Sequence, residues 1–254
     1  NLYDVQIIKH LFEECIIAGI SKLHLVLSPR KKAIFDAIMS HGNEPYDQSV
    51  RKDLDRSELR LVPDGLDLSV HVQESPGGVA DAISVALGHI SGDFLVLLGD
   101  NVLLSNSVEG RDHMAANTAS LRMVEDYMAN GTPCVGVVSV GRGMASLYGI
   151  AQVTDGSVVS IVEKPGKDDY RGDLALCGRY LFPKDSSSIL EGFSVEEHGE
   201  LQSIAFMLGL SETHGLRAVD LSDHSWYDSG NPDSWIRDQV KHMEMRKGQS
   251  DNGS

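Results

Sequence analysis

Basic residues, cysteines and long apolar stretches are all scarce in this sequence, and each shortage removes a class of function. Only 22 Lys and Arg face 37 Asp and Glu, a formal net charge of −15. That acidity argues against nucleic acid as the main partner, because such proteins neutralise phosphates with a basic face. Small phosphates stay open, because a few placed cations suffice for them. No apolar run approaches the ~20 residues of a bilayer span, so a membrane is not expected as a partner either. The three cysteines, Cys15, Cys134 and Cys177, sit in apolar stretches with no C-x-x-C spacing, which reads as buried, reduced thiols in a cytoplasmic protein. Also missing are G-x-G-x-x-G and Walker loops, which removes the main support for a dinucleotide dehydrogenase or a P-loop NTPase. No G-x-S-x-G element appears, and none of the ten histidines has metal-ligand spacing; His10, His24 and His89 read as lying on ordinary helix or strand surfaces.

What is present is an ordinary globular composition, 254 residues with 41% hydrophobic and 23% charged, enough for one α/β domain with a sizeable core. Val5, Ile8, Leu11, Phe12, Cys15 and Ile16 share a helix face, with Asp4 as N-cap and Gly19 as the stop. Leu23 to Leu27 reads as a strand and Lys32 to Met39 as the next helix, an order that implies a parallel sheet with crossovers. A polar surface loop is expected from Asn43 to Asp67. Beyond it follow strand Leu68 to Gln73, helix Gly77 to Ile90 and the buried strand Phe94 to Leu98. Ala119 to Asn130 reads as a helix closed by Gly131, and Cys134 to Val140 as a strand. Asp155-Gly156 between Ile150 to Thr154 and Val158 to Val162 signals a hairpin, so antiparallel strands join the set. Leu174 to Phe182, Leu216 to Leu221 and Ser225 to Tyr227 read as further strands, with helices at Ser186 to Leu190 and Leu201 to Leu210. A last helix starts at Asn231 and Pro232 and ends near Lys247. The expectation is a single domain over 1–247 and a disordered tail over 248–254.

Several residues could carry chemistry, each beside a plainer reading. Asp100 follows a buried strand, where ligands of open α/β sheets collect; it is either a Mg²⁺ ligand, since that ion takes one or two carboxylates, or a turn residue. Asp228, in Trp226-Tyr227-Asp228-Ser229-Gly230, offers the same choice. In Glu163-Lys164-Pro165 the proline is expected to hold Lys164 extended, so that lysine grips a phosphate and glutamate a sugar hydroxyl, or the pair is a solvated strand end. Gln73 and the Ser75-Pro76-Gly77-Gly78 turn could approach a base or phosphate closely.

In this order these pieces resemble the sugar-1-phosphate nucleotidylyltransferases, the glucose-1-phosphate uridylyl- and thymidylyltransferases. The resemblance runs through Val72 to Ala82, Leu97 to Asn101, Tyr148-Gly149-Ile150, Val162 to Pro165, Gly178-Arg179-Tyr180, Gly199-Glu200-Leu201-Gln202 and Tyr227 to Gly230. It implies a Rossmann-like, mixed and mostly parallel sheet flanked by helices. It also implies Asp100 and Asp228 as the Mg²⁺ ligands, Asp100 and Lys164 as catalytic residues, and Lys164 as the holder of the sugar phosphate. Gln73 and Gly78 would contact the base, and Gly149, Glu163 and Leu176 the sugar. The partners implied are UTP or dTTP and a sugar-1-phosphate, with a homo-oligomer as the complete protein.

Two departures stand out. The family opens with a strand and a G-x-G-T-R loop, whereas Leu2-Tyr3-Asp4-Val5 corresponds to the segment after it. The expectation is therefore a domain lacking its first βα unit, about 30 residues, and without turnover on its own. After Gln202 the family continues with Thr-Asp where Ser203-Ile204 stands. The motifs divide between uridylyl and thymidylyl transfer, with a lean to UTP. The alternatives are a noncatalytic sugar-nucleotide-binding module and a D-x-D glycosyltransferase, whose motif Asp100-Asn101-Val102 does not supply.

Overall fold

The computed structural model describes residues 6–41, 61–106, 116–166, 169, 172–190, 202–230 and 232–251. Ten strands and seven α-helices are found among them. The chain enters through α1 (Ile7–Ile17), which buries Leu11, Phe12 and Cys15, and also His10, expected on the surface but sharing the inward face with Leu11 and Glu14. Gly19, at φ +75°, ends it as expected: its N–H reaches the Ile16 carbonyl at 2.9 Å and the Ile20 N–H reaches Cys15 at 2.9 Å, the two bonds of a Schellman stop. The expected cap Asp4 lies outside the described residues. Strand β1 (Lys22–Leu27), α2 (Pro29–His41) and β2 (Asp67–Val72) follow, and β1 and β2 form a two-stranded parallel sheet. Most of the expected loop from Asn43 to Asp67 is outside the described residues.

Helix α3 (Val79–Leu87) leads to β3 (Phe94–Leu97) and then to β4 (Asn101–Ser105), a strand the sequence reading does not include. After α4 (Ala119–Asn130), closed by Gly131 at φ +64°, come β5 (Cys134–Ser139), the hairpin β6 (Gly149–Thr154) and β7 (Ser157–Glu163), and β8 (Leu174–Phe182). The hairpin turn is as read: Asp155 at φ +49° and Gly156 at φ +77° give the double positive φ of a type I′ turn. Short α5 (Ser187–Leu190), α6 (Gln202–His214), β9 (Arg217–Asp220), β10 (His224–Asp228) and α7 (Pro232–Asp251) complete the order. Helix α7 continues past the expected end near Lys247, through residues read as the start of the tail.

The main sheet has six strands in the order β3-β8-β5-β9-β7-β6, and β10 pairs separately with β4. The sheet is mixed and flanked by helices, as expected, but its balance is not mostly parallel. Only β1 with β2 and β5 with β9 run parallel among the described pairings. The others are antiparallel, because β8 inserts between β3 and β5 against both and the hairpin closes one edge.

Period-two alternation sorts the core onto the two faces of this sheet. Val135, Val137, Tyr180 and Phe182 meet Ala80 and Ile83 of α3 and Phe206, Met207 and Leu210 of α6. Cys134, Val138, Cys177 and Leu181 face the other way, against Ala119 and Met123 of α4 and Leu103 of β4. All three cysteines are free and buried, and burial pushes each thiol up to about 12, so none is a nucleophile at neutral pH. No described helix is long and apolar enough to cross a membrane.

Candidate active site

The strand absent from the sequence reading explains how two distant aspartates meet. In the antiparallel ladder of β4 and β10, Asp228 stands opposite Asn101, so Asp100 lies one residue before the point where β10 ends. The Ser229 N–H donates to the Asp100 carbonyl at 2.8 Å and extends the pairing by one step. A Cβ placed on Gly230 would sit 3.0 Å from Asp100 Oδ2 and 3.1 Å from Asp228 Oδ1. Both carboxylates therefore reach the same small residue. Asp100 is held through Asn101, whose Nδ2 donates to Asp100 Oδ1 at 2.6 Å and whose Oδ1 accepts from Trp226 Nε1 at 2.6 Å. Asp228 Oδ1 takes the Gly230 N–H at 3.0 Å. Burial raises the Tyr148 phenol, and the charge and hydrogen bond of Asp228 add to it; the ring packs against Trp226 with centroids 4.6 Å apart.

Tyr148 also begins a second group. Gly149 pairs with Glu163 across the hairpin strands, and a Cβ on Gly149 would meet Glu163 Oε2 at 2.9 Å, Leu176 Cδ1 at 3.3 Å and Ile204 Cδ1 at 3.6 Å. Gly149, Glu163 and Leu176, grouped by resemblance, thus share one wall, and Ile204, the departure from the family's pattern, completes it. Lys164 departs from expectation. Its φ is +44°, in the left-handed region rather than extended, and its N–H donates to the Tyr148 carbonyl at 3.0 Å. That bond turns the backbone against the preference a following proline imposes. The ammonium lies 3.6 Å from Glu163 Oε1 and is 58% exposed. An open pocket of about 530 Å³ joins Lys164, Tyr148, Asp228, Gly230, Ser234 and Arg237.

Gln73 and Gly78 form a third group, at the end of β2 and the start of α3. The Gln73 amide donates to the Gly78 carbonyl at 3.2 Å and to Asp81 Oδ2 at 2.5 Å. Gly78 has φ +89°, open to glycine alone without strain. At Gly77 a Cβ would fall 2.6 Å from the Asp81 side chain, so a larger residue there would have to displace the carboxylate that the Gln73 amide holds. Gly199, Glu200 and Leu201 lie outside the described residues.

Beneath the aspartates lies a group whose role the sequence reading misses. Arg179, 0% exposed, meets Glu14, 1% exposed, through Nε to Oε1 and Nη2 to Oε2, both at 2.8 Å. Nη2 also donates to the Asn101 carbonyl at 3.0 Å and Nη1 to the Gly178 carbonyl at 3.1 Å. Glu14 in turn accepts from the Ser120 N–H at 3.0 Å and from its hydroxyl. One buried fork thus ties α1, α4 and β8 to the first residue of β4, next to Asp100. The available signal was a lone arginine inside the apolar run of β8. A second residue missed is Asp238, buried on α7, which accepts the Asp228 N–H; burial pushes its carboxyl up to about 6.

The two carboxylate oxygens facing Gly230, Asp100 Oδ2 and Asp228 Oδ1, have the hard-oxygen chemistry that a divalent ion takes. No group of three or more His, Cys, Asp and Glu suited to a metal occurs among the described residues, which sets aside an all-protein cage but not a two-carboxylate site.

The sequence model of the nucleotidyl transferase family matches residues 1–244. The UTP–glucose-1-phosphate uridylyltransferase of Streptococcus pneumoniae serotype 4 is 26% identical over 258 residues, covering 96% of this chain and 83% of that protein. The enzyme of that name from Streptococcus pyogenes is 26% identical over 250 residues, covering 94% and 79%. Among solved structures, a UDP-glucose pyrophosphorylase from Acinetobacter baumannii superposes with a TM-score of 0.76 at 22% identity, over 95% of this chain and 84% of that one. An apo UDP-glucose pyrophosphorylase superposes with a TM-score of 0.78 at 20% identity, over 97% and 89%. At these identities the structural likeness establishes the fold.

Proposed function

The chain belongs to the nucleotidyl transferase family, and from that premise we propose that it is a sugar-1-phosphate nucleotidylyltransferase, converting UTP and glucose-1-phosphate to UDP-glucose and pyrophosphate. The observation that carries the reading is the meeting of Asp100 and Asp228 at Gly230, in a pocket that Asp228 shares with Lys164. The choice of UTP over dTTP and of glucose as the sugar rests on the names of the curated relatives.

Asp100 and Asp228 would hold Mg²⁺, the carboxylate count that ion commonly takes from protein. When bound, it neutralises charge on phosphate oxygens. Lys164 holds the phosphate of the sugar-1-phosphate as a point charge, beside the wall of Gly149, Glu163 and Leu176 on which the sugar rests. Glu163 accepts hydrogen bonds from the sugar hydroxyls. Gln73 and Gly78 face the base. The attacking group is a phosphate oxygen that is already anionic, so no residue has to remove a proton. It forms a bond to the α-phosphorus in line with the bond that breaks, and the electron pair leaves with pyrophosphate. The protein's contribution is placement and charge, as is general in phosphoryl chemistry.

The test is pyrophosphate release from UTP or dTTP with glucose-1-phosphate, using the full-length protein. Release with UTP preferred is the expected result; none with either nucleotide would sink the reading. Asp100→Asn should lower turnover roughly a hundredfold or more while the circular dichroism spectrum stays unchanged. An unaltered rate would remove Asp100 from the metal site.

A further inference from the structure

A second cation lines the pocket that Lys164 and Asp228 share, and no part of the sequence reading includes it. Arg237 stands on α7, and Asp233, Ser234 and Arg237 all border the same space. Their spacing, four and three residues back from Arg237, puts them on one helix face. Trp235, Ile236 and Val240 are exposed. The Arg237 head is weakly engaged: Nε lies 3.9 Å from Asp238 Oδ1, and the side chain is 49% exposed. At 3.9 Å the pair is beyond hydrogen-bond reach, so turning the guanidinium to another anion breaks no hydrogen bond to Asp238. Its charge is felt at the Tyr148 phenol, the group that bonds Asp228.

Charge gives the reason a second cation is needed. Asp228 and Asp233 line this pocket with Lys164, and Asp100 adjoins it at Gly230. Three carboxylates against one ammonium would repel a phosphate dianion, and one divalent ion brings that set only to neutrality. Arg237 is the other cation among the described lining residues, and it moves the balance of the pocket one unit towards positive. Position selects which phosphate it takes. Lys164 follows Glu163 directly, so the phosphate of a sugar seated against Gly149 and Glu163 falls at the Lys164 end of the pocket. A guanidinium offers paired N–H donors that match two oxygens of one phosphate, as an ammonium does not.

We propose that Arg237 is a substrate-binding residue of this site, gripping the phosphate of the sugar-1-phosphate together with Lys164. The proposal rests on the functional reading above and adds to it a residue and a division of labour. It is tested by isothermal titration of glucose-1-phosphate and, separately, of UTP with Mg²⁺ into the wild-type protein, Arg237→Ala and Arg237→Lys. The Kd for glucose-1-phosphate should rise roughly tenfold or more in Arg237→Ala, by less in Arg237→Lys, and the Kd for UTP should stay within about twofold. An unchanged Kd for glucose-1-phosphate in both variants overturns the proposal while leaving the functional reading standing. Equal losses for the two ligands overturn it as well, because Arg237 would then act on the pocket at large. Wild-type protein that binds UTP but not glucose-1-phosphate overturns the functional reading, and the proposal with it.

Discussion

Gly149 has no side chain because two neighbours already occupy the space one would take. A methyl there would come within 2.9 Å of Glu163 Oε2 and 3.3 Å of Leu176 Cδ1. Both are ends of flexible side chains, so the fold can yield, but the residues that yield are those read as sugar contacts. Gly149→Ala should therefore leave the melting temperature nearly unchanged and raise the KM for glucose-1-phosphate roughly tenfold, with the KM for UTP unaffected. Steady-state kinetics with each substrate varied in turn would check it, and equal changes in both constants would count against the sugar wall. At this scale the resemblance singles out Gly149, Glu163 and Leu176, which the fold brings together, whereas glycine and aspartate at strand ends are by themselves ordinary turn residues. The backbone of Lys164 is not legible: the local rule for a residue before proline favours an extended form, and a tertiary bond to the Tyr148 carbonyl outweighs it. Arg237 is hidden for another reason, since one arginine on an exposed helix face looks like any solvated charge.

At the scale of elements, the position of Asp100 depends on strands and helices that the buried Glu14 and Arg179 pair joins. Glu14→Ala would leave a fully buried guanidinium without its anion, which costs about 3–5 kcal/mol. Urea unfolding would read that loss, and a change under about 1 kcal/mol would mean that water or a neighbour replaces the carboxylate. A second clasp, on the surface, ties α4 to the turn between β9 and β10. Arg122 Nη1 and Nη2 reach the Asp223 carboxylate at 2.7 and 2.6 Å, and these bonds lead in pulling it from the ordinary 3.8 down to about 2. A depressed carboxylate stabilises the fold above its unfolded value, and that contribution is lost as pH falls. The wild type should thus exceed Arg122→Ala in stability above pH 3.8, with the gap closing towards about pH 2. Both partners are about half exposed, so salt should narrow the gap too. Denaturant titrations across that range would show it, and a gap independent of pH would assign the effect to packing. Elements with complete local signals, such as α1 with its Gly19 stop and the Asp155-Gly156 hairpin, are plain in the sequence. Strand β4 is not, because Gly99-Asp100 reads as an ending and only three apolar residues follow. Its partner β10 lies more than a hundred positions away, and pairing at that distance leaves no local pattern.

For the whole molecule, the division into sheets carries a consequence for binding. Strands β5 and β8 are packed on both faces, with Cys134, Val135, Ala175 and Cys177 at 0% exposure, whereas β1 and β2 contain no fully buried residue. Among the described residues these two strands hydrogen-bond to each other and to no other strand. Local opening follows buried contact, so the amides of β1 and β2 should exchange with deuterium earlier than those of β5 and β8. The proposed base contacts ride on the weaker unit: Gln73 follows β2 directly, its N–H donating to the Leu27 carbonyl at 2.9 Å, and Gly78 opens α3. A nucleotide held there bridges the small sheet to the rest of the site, and a ligand that binds only the closed form lowers the open population further as its concentration rises above its Kd. Adding UTP with Mg²⁺ should then protect peptides covering β2 and the start of α3 more than those covering β8. Hydrogen exchange read by mass spectrometry, with and without nucleotide, separates the possibilities. Protection confined to the Asp100 and Asp228 peptides would leave the metal site intact and take base recognition away from Gln73 and Gly78.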